Sequence, residues 1–230
     1  DQFTTLNNAP SFDDGTSTTL TVDEDDPATS ISSQLAVSDT DGGQTLTWSV
    51  ASGPSNGTLS GFNATASSGG TNIQPGSVTY QPNSNYNGSD SFQIQVSDGT
   101  DTDNITVNVT VNDVNDAPTF TSFSGVVETT DEDTEAVIVL SELQGPADAD
   151  DIDGTVDAFV VQSVTSGTLK IGTTSGSATA FASGTNDEIN GTQKAYWTPA
   201  ANVNGSGLSA FVVRAKDNDG AISSTDVTAT

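Results

Sequence analysis

The segment Asn104–Val111, NITVNVTV, alternates apolar and polar residues along its whole length. Ile105, Val107, Val109 and Val111 fall on one face of an extended chain, and the polar residues fall on the other face. This alternation is typical of a half-buried antiparallel strand, which has one face on a core and one in water. The segment therefore predicts a β-fold.

Other segments on both sides of this strand have the same character. The alternation recurs in Ser91–Val96 (SFQIQV) and Leu46–Val50 (LTWSV), and the β-branched content of Ala136–Leu143 (AVIVLSEL) predicts a strand there too. Further predicted strands are Thr16–Val22 and Ser30–Val37, and, in the second half, Phe159–Val164, Lys194–Pro199 and Ser209–Lys216. About seven short strands with Gly, Asn and Pro turns indicate an all-β sandwich.

The chain repeats itself once. Ala9–Phe12 (APSF) returns 108 positions later as Ala117–Phe120 (APTF) within the joint Asn112–Phe120, NDVNDAPTF. Four further pairs follow in the same order: Asp23–Asp25 with Asp131–Asp133, Asp39–Gly42 with Asp151–Gly154, Gly57–Leu59 with Gly167–Leu169, and Pro82–Phe92 with Pro199–Phe211. A period near one hundred residues suits an autonomous domain. We predict a linker remnant at 1–7, one sandwich at 8–114 and a second at 115–230.

Composition restricts the function classes. The chain has 31 acidic and 4 basic residues, a net charge of −27, so nucleic acid and anionic membranes are unsuitable partners. It contains no Cys, Met or His, which excludes disulfides, zinc sites and thiol or imidazole catalysis within this sequence. No run of 18 apolar residues is present, so we expect no membrane insertion.

The acidic residues are predicted to gather at the domain ends. We call the end of each copy that faces the preceding joint its upper end, and the opposite end its lower end. Strands that alternate in direction then place one acidic set at the lower end of the first copy, one in the joint and one at the upper end of the second copy. Such convergence raises carboxyl pKa values unless a cation intervenes, and calcium accepts about six to eight oxygen ligands in flexible geometry. Magnesium, which demands a tighter octahedron, ranks second. The candidate ligands are Asp23, Glu24, Asp25, Asp26, Asp90, Asp113, Asn115, Asp116, Asp151, Asp153 and Asp217, with Asp39, Asp41 and Asp98 at the upper end of the first copy.

These residues resemble the cadherin repeat family. In that family calcium lies between successive sandwich domains and is held by a DxNDN-type linker, a DxD loop and acids of the preceding domain. Here the linker reads Asp113–Ala117 (DVNDA), with Ala117 at the final asparagine, and the DxD loops are those of Asp39 and Asp151. Asn85–Gly99, NYNGSDSFQIQVSDG, is similar to cadherin-like tandem repeats of giant bacterial RTX-type surface adhesins. The resemblance implies two tandem Ig/cadherin-like Greek-key β-sandwich domains joined by a short calcium-binding linker.

The second copy departs from this pattern. Val203 replaces Tyr86, and Gly207 stands near the place of Asp90. We therefore expect its lower calcium site either to be weaker or to use Asp131, Glu132 and Asp133 together with residues beyond this fragment.

The resemblance implies a function as structural extender modules of a long, extracellular, calcium-dependent adhesin on the bacterial cell surface. Its partners would be neighbouring repeats of the same chain, with a host or biofilm ligand bound through other domains, and we expect this fragment to be monomeric. The alternative is a carbohydrate- or peptide-binding module in the second copy, motivated by the extra segment 173–194 with Phe181, Asp187 and Glu188. The acids repeat at domain ends instead of pairing in an aromatic cleft, so we expect no enzyme.

Overall fold

The computed structural model describes residues 6–230, so most of the predicted linker remnant at 1–7 lies outside it. The chain divides into two compact units. Unit 1 ends at Val114 and unit 2 begins at Asn115. Each unit is a β-sandwich, as the alternating segments predict.

Unit 1 consists of eleven strands among its described residues. They are β1 (Ser11–Phe12), β2 (Ser17–Asp23), β3 (Thr29–Ser30), β4 (Val37–Asp39), β5 (Thr45–Ser52), β6 (Gly57–Ser60), β7 (Thr65–Ser67), β8 (Gly70–Ile73), β9 (Thr79–Pro82), β10 (Gly88–Ser97) and β11 (Thr102–Asn112). One layer is a five-stranded sheet in the order β2-β11-β10-β5-β7, and two three-stranded sheets, β1-β4-β8 and β3-β9-β6, form the other.

The segment NITVNVTV lies within β11, between β2 and β10 in the five-stranded sheet. It pairs antiparallel with β10, where Phe92 faces Val107, and parallel with β2, where Leu20 faces Val109. The alternating valines and isoleucine point inward to a core that includes Trp48, Tyr80 and Phe92. This burial holds the two layers together.

The predicted strand Ser30–Val37 is wrong as a single element. Thr29–Ser30 pairs with β9, whereas Val37–Asp39 pairs with β1 and β8 in another sheet. A turn at 32–35 separates them, closed by the hydrogen bond from Leu35 N to Ser32 O. The two apolar residues that suggested continuity, Ile31 and Leu35, are both buried in the core and make this change of sheet possible.

Unit 2 contains one short helix and eight strands among its described residues. They are β12 (Ala136–Ile138), α1 (Leu140–Gln144), β13 (Val156–Val164), β14 (Thr168–Gly172), β15 (Thr179–Ala180), β16 (Glu188–Asn190), β17 (Lys194–Thr198), β18 (Phe211–Asp217) and β19 (Val227–Ala229). The two sheets run β12-β17-β14-β15 and β16-β13-β18-β19 and enclose Phe159, Trp197 and Phe211.

The predicted strand Ala136–Leu143 is correct only in its first half. The chain leaves β12 after Ile138 and turns into α1, where Glu142 accepts a hydrogen bond from the backbone of Val139 at 2.8 Å. Leu143 is fully buried, so the helix contributes to the core. The Val-Ile-Val run concealed a helix start, because the capping glutamate follows the β-branched residues.

The extra segment 173–194 is part of the sandwich. It supplies β15 and β16, which extend the two sheets, and Phe181 packs against the core. Within residues 6–230 no helix is long and apolar enough to cross a membrane.

Candidate metal-binding loops

The upper loops of unit 2 bring together five predicted ligands. The Asn115 side chain donates to Asp217 at 2.9 Å, and the Asp116 backbone N–H donates to Asp153 at 3.0 Å. Asp151 begins the same DxD loop. Asn115 and Asp116, the first residues of unit 2, are thus hydrogen-bonded to the loop of Asp217 and to the DxD loop of Asp151 and Asp153.

Asp151 is the unusual member of this group. Both of its carboxylate oxygens are buried without a hydrogen-bond partner. Burial raises the pKa of Asp151, and the neighbouring Asp153 and Asp217 carboxylates raise it further; the nearby Asp153 backbone N–H, which does not form a well-aligned hydrogen bond, offsets this only in part. The loop packs tightly around the Asp151 side chain, because a Cβ added to Gly154 would lie 2.7 Å from Asp151 Oδ2. Two orphaned oxygens fixed beside two carboxylates are an arrangement that a cation would complete.

Asp217 has the opposite environment. Its burial acts to raise its pKa, but the Asn115 side chain and the backbone N–H groups of Ala221, Gly220 and Asp219 outweigh burial, so the pKa of Asp217 is lowered. This side chain is therefore a stable carboxylate. It orders both its own turn and the start of the unit.

The upper loops of unit 1 repeat the arrangement. The Asn7 side chain donates to Asp98 at 2.9 Å, which matches the bond from Asn115 to Asp217 in unit 2. The Asn8 backbone N–H donates to Asp41, which matches the bond from Asp116 to Asp153. Asp39 is 2% exposed, and its Oδ2 has no partner. The same orphaned oxygen thus occurs at the same position of both DxD loops.

The pKa of Asp98 is lowered, as is that of its counterpart Asp217. Burial acts to raise its pKa, but the hydrogen bonds from the Asp101 and Thr100 backbones and from Asn7 lower it overall. Asp101 also accepts from Asn7 at 2.7 Å and so belongs to this group. Asp101 is not among the candidate ligands chosen from the sequence, because the second copy offers no clear counterpart of it.

The lower end of unit 1 forms a second acidic group. Glu24 is 5% exposed and accepts a hydrogen bond from Val114 N at 2.9 Å, while Asn87 donates to Asp113. The Val114 bond lowers the pKa of Glu24, but burial and the nearby Asp113 and Asp25 carboxylates outweigh it and raise the pKa. The strand directions inferred from the sequence therefore bring Glu24 and Asp113 together.

Three more predicted ligands surround this group. Asp23 accepts from Asn112 at 2.8 Å, and Asp26 accepts from the Asp23 backbone at 3.2 Å. Asp25, in the left-handed region at φ 59°, accepts from Asn85 N at 3.1 Å. Unit 2 repeats this last contact, where Asp133 accepts from Asn202 N at 3.2 Å.

Asp90 has a structural role that the sequence did not suggest. It is 8% exposed and accepts hydrogen bonds from Tyr80 Oη, Ser55 N, Asn56 N and Ser91 N, at 2.8 to 3.0 Å. These contacts are those of an anchor for the turn before β6. We leave Asp90 out of the proposed calcium ligands.

The loops offer unpaired carboxylate oxygens, as a metal site requires, but their acidic side chains are not clustered as a ligand set. Across residues 6–230, no three acidic side chains are grouped as a metal-ligand set. The orphaned oxygens of Asp39 and Asp151 nevertheless fit a hard cation, since buried unpaired carboxylate oxygens are costly without one. Calcium binding by these residues stays a prediction.

The residues that motivated a ligand-binding second unit have structural contacts. Glu188 forms an ion pair with Lys216 at 2.6 Å, and Asp187 accepts from Gly184 N at 2.5 Å. Lys170 and Arg214 pair with Glu135 and Asp226. The contacts of segment 173–194 thus serve the sandwich itself.

A sandwich of this construction, with acidic loops at its ends, is of the Ig-like class. Residues 7–110 match the family model of bacterial Ig domains. No curated protein matches the chain.

Several solved structures are similar to this chain at low sequence identity. Extracellular cadherin domains 1–4 of protocadherin gamma B7 are 15% identical over 98% of this chain and 50% of theirs, with a TM-score of 0.48. Domains 1–3 of mouse PcdhgC3 are 16% identical over 97% of this chain and 68% of theirs, at 0.45. An endo-fucoidan hydrolase of glycoside hydrolase family 107 is 17% identical over 96% of this chain and 28% of its own, at 0.37.

Proposed function

We propose that the two units are non-catalytic extender modules of an extracellular, calcium-dependent adhesin, and that calcium at the joint restricts bending of the chain. The observation that carries the proposal is the pair of DxD loops with orphaned buried oxygens, at Asp39 in unit 1 and Asp151 in unit 2. One such loop could be an accident of packing. Its recurrence at matching positions favours a shared ligand.

The chemistry of the surrounding side chains selects a hard divalent cation. The upper loops of unit 2 offer Asp151, Asp153, Asp217 and the Asn115 amide oxygen, and the lower end of unit 1 offers Glu24 and Asp113. Carboxylate and amide oxygens suit calcium. Burial raises the pKa values of Glu24 and Asp151, and neighbouring carboxylates raise them further; calcium would neutralise the repulsion between these carboxylates.

The two acidic sets are adjacent in the covalent chain. Asp113 and Val114 end unit 1, and Asn115 and Asp116 begin unit 2, so the joint carries ligands of both sets within four residues. Calcium bound to either set would hold its end of the joint against the adjoining loops of the same unit. In this proposal, calcium thereby stiffens the joint.

An extracellular location follows from the same chemistry. Weaker calcium sites have dissociation constants of roughly 10⁻⁴–10⁻³ M, which the millimolar calcium of extracellular fluids fills. The match of residues 7–110 to bacterial Ig domains supports placement on a bacterial surface. The RTX-adhesin and biofilm context remains part of the proposal.

Small-angle scattering of the whole chain in calcium, in magnesium and in chelator tests the proposal. We expect a narrower distribution of interatomic distances in calcium, and we expect the double variant Asp116→Asn, Asp153→Asn to behave as the chelated protein does. The matched control is Asp13→Asn, Asp14→Asn, which removes the same charge from exposed positions of unit 1. Identical scattering in calcium and chelator would refute the stiffening role.

The alternative, a carbohydrate- or peptide-binding second unit, gains no support from segment 173–194, whose aromatic and acidic residues are bound within the sandwich. Glycan-array binding that is lost on substitution in this segment would revive it.

A further inference from the structure

A lysine, a glutamate and an asparagine are joined by hydrogen bonds on the outer face of one sheet of unit 2. Lys216 Nζ donates to Glu188 Oε2 at 2.6 Å, and Asn190 Nδ2 donates to the other oxygen, Oε1, at 2.7 Å. The intervening residues Ile189 and Ala215 face the core, so the three polar side chains lie on the opposite face and are partly exposed. One carboxylate therefore bridges an amine and a carboxamide.

The strand register brings the amine and the carboxamide into the same row of the sheet. Asn190 of β16 and Lys216 of β18 both pair with Ala158 of β13, which lies between these two strands. Two strand spacings amount to about 10 Å, which the side chains of a lysine and an asparagine span together. Ala158 is 3% exposed and carries only a methyl group, so it leaves room for both side chains to meet above it.

The Asn190 carboxamide is held as an acyl transfer requires. Its Oδ1 accepts hydrogen bonds from Thr192 N and Gln193 N, both at 2.9 Å. Two backbone N–H groups on one carbonyl oxygen polarise the carbonyl and stabilise the negative charge of a tetrahedral intermediate. The hydrogen bond from Lys216, and after it that from Asn190, lowers the pKa of Glu188 by more than burial raises it. Glu188 is therefore a carboxylate that can accept a proton.

We propose that Lys216 and Asn190 form an intramolecular isopeptide bond, with Glu188 as the proton carrier. Glu188 takes a proton from the Lys216 ammonium, and the free amine attacks Cγ of Asn190. The bond from Cγ to Nδ2 then breaks. Nζ gives up two protons in all, both pass to the departing nitrogen, and ammonium leaves while Glu188 returns to its carboxylate form. The step consumes no oxidant or other reactant, and it is independent of calcium.

Mass spectrometry of the whole chain, intact and after digestion with trypsin, tests the bond. The basic residues at which trypsin cleaves are Lys170, Lys194, Arg214 and Lys216. A lysine whose amine is acylated has lost its charge, so trypsin should no longer cleave after Lys216. We expect a branched species in which peptide 171–194 is joined to the peptide that begins at Ala215, with a mass about 17 Da below the sum of the two. The intact protein should be lighter by the same amount.

Two variants and one internal control identify the reacting groups. Lys216→Arg keeps the positive charge but lacks the nucleophile, and Glu188→Gln lacks the proton carrier, so both should keep their full mass. The internal control is the pair of Lys170 with Glu135 at 2.7 Å, in which the other carboxylate oxygen accepts from the Ser175 hydroxyl and not from a carboxamide. Trypsin should therefore cleave after Lys170 as usual.

Three results would overturn the proposal. The first is full mass in the natural protein together with ordinary cleavage after Lys216. The second is a mass loss of about 17 Da that persists in Lys216→Arg, because Asn190 precedes Gly191 and the same loss would then come from a succinimide closed on its own backbone. The third is a branched peptide that still forms in Glu188→Gln, which would show that Glu188 does not carry the proton.

Discussion

Replacing Asp151 with Asn should change the stability of unit 2 in a calcium-dependent way. Without calcium, Asp151 is a buried carboxyl whose oxygens have no partner and whose neighbours are Asp153 and Asp217. An unsatisfied buried polar group costs about 1–3 kcal/mol. Asn removes the charge and can donate to Asp153, so D151N should be the more stable protein in chelator.

With calcium, the natural protein should become more stable than D151N. At 10 mM calcium and a dissociation constant of about 10⁻⁴ M, binding to the folded state adds about 2.7 kcal/mol to the free energy of unfolding. D151N loses a ligand and hence most of this gain. For a unit of this size, about 4 °C per kcal/mol gives a calcium-induced rise near 10 °C in the natural protein and little in the variant.

Differential scanning calorimetry in chelator and in 10 mM calcium measures both effects. The control is Asp148→Asn, an acid of the same unit that accepts four hydrogen bonds from Thr121 and Ser122. This control should destabilise unit 2 equally in both buffers. If D151N were destabilised by the same amount in chelator and in calcium, Asp151 would be an ordinary structural residue and the calcium argument would fail.

Further predictions concern interactions within each unit. Tyr80→Phe removes the 3.0 Å bond to Asp90 and should cost about 1–1.5 kcal/mol by calorimetry; no loss would show that the three backbone donors suffice. Gly61→Ala should cost at least about 1 kcal/mol more than Gly15→Ala in urea unfolding, because both glycines have positive φ but only at Gly61 would a Cβ collide with neighbouring backbone. Hydrogen bonds lower the pKa of Asp148 below its ordinary 3.8, so its contribution to the free energy of unfolding is full above pH 3.8 and is lost as the pH falls below that value. The urea midpoints of D148N and of the natural protein should therefore converge as the pH is lowered. A constant difference between the two midpoints would contradict this.

The strands that alternate in sequence were the easiest part of the fold to predict. NITVNVTV and SFQIQV form β11 and β10, because one face is buried and the other is exposed along their whole length. Ser30–Val37 and Ala136–Leu143 were wrong in part, since tertiary packing divides each run between two elements. Apolar residues show that a segment is buried but do not show which sheet it joins.

The acidic loops were predicted as groups but not in their individual roles. The alternating strand directions correctly indicated the end of unit 1 at which each acid lies. Asp98 accepts a hydrogen bond from Asn7 at the upper end, and Glu24 accepts one from Val114, next to Asp113, at the lower end. Nothing in the sequence distinguished Asp90, which anchors a turn, from Asp151, whose oxygens are unpaired. That difference depends on the donors that surround each carboxylate, and those come from distant segments.

The parallel pairing of β2 with β11 has a mechanical consequence. Seven residue pairs, from Ser17–Thr106 to Asp23–Asn112, join the first long strand of unit 1 to its last. Tension applied through the two chain ends would load this ladder in shear, so its hydrogen bonds would have to rupture together instead of peeling one at a time.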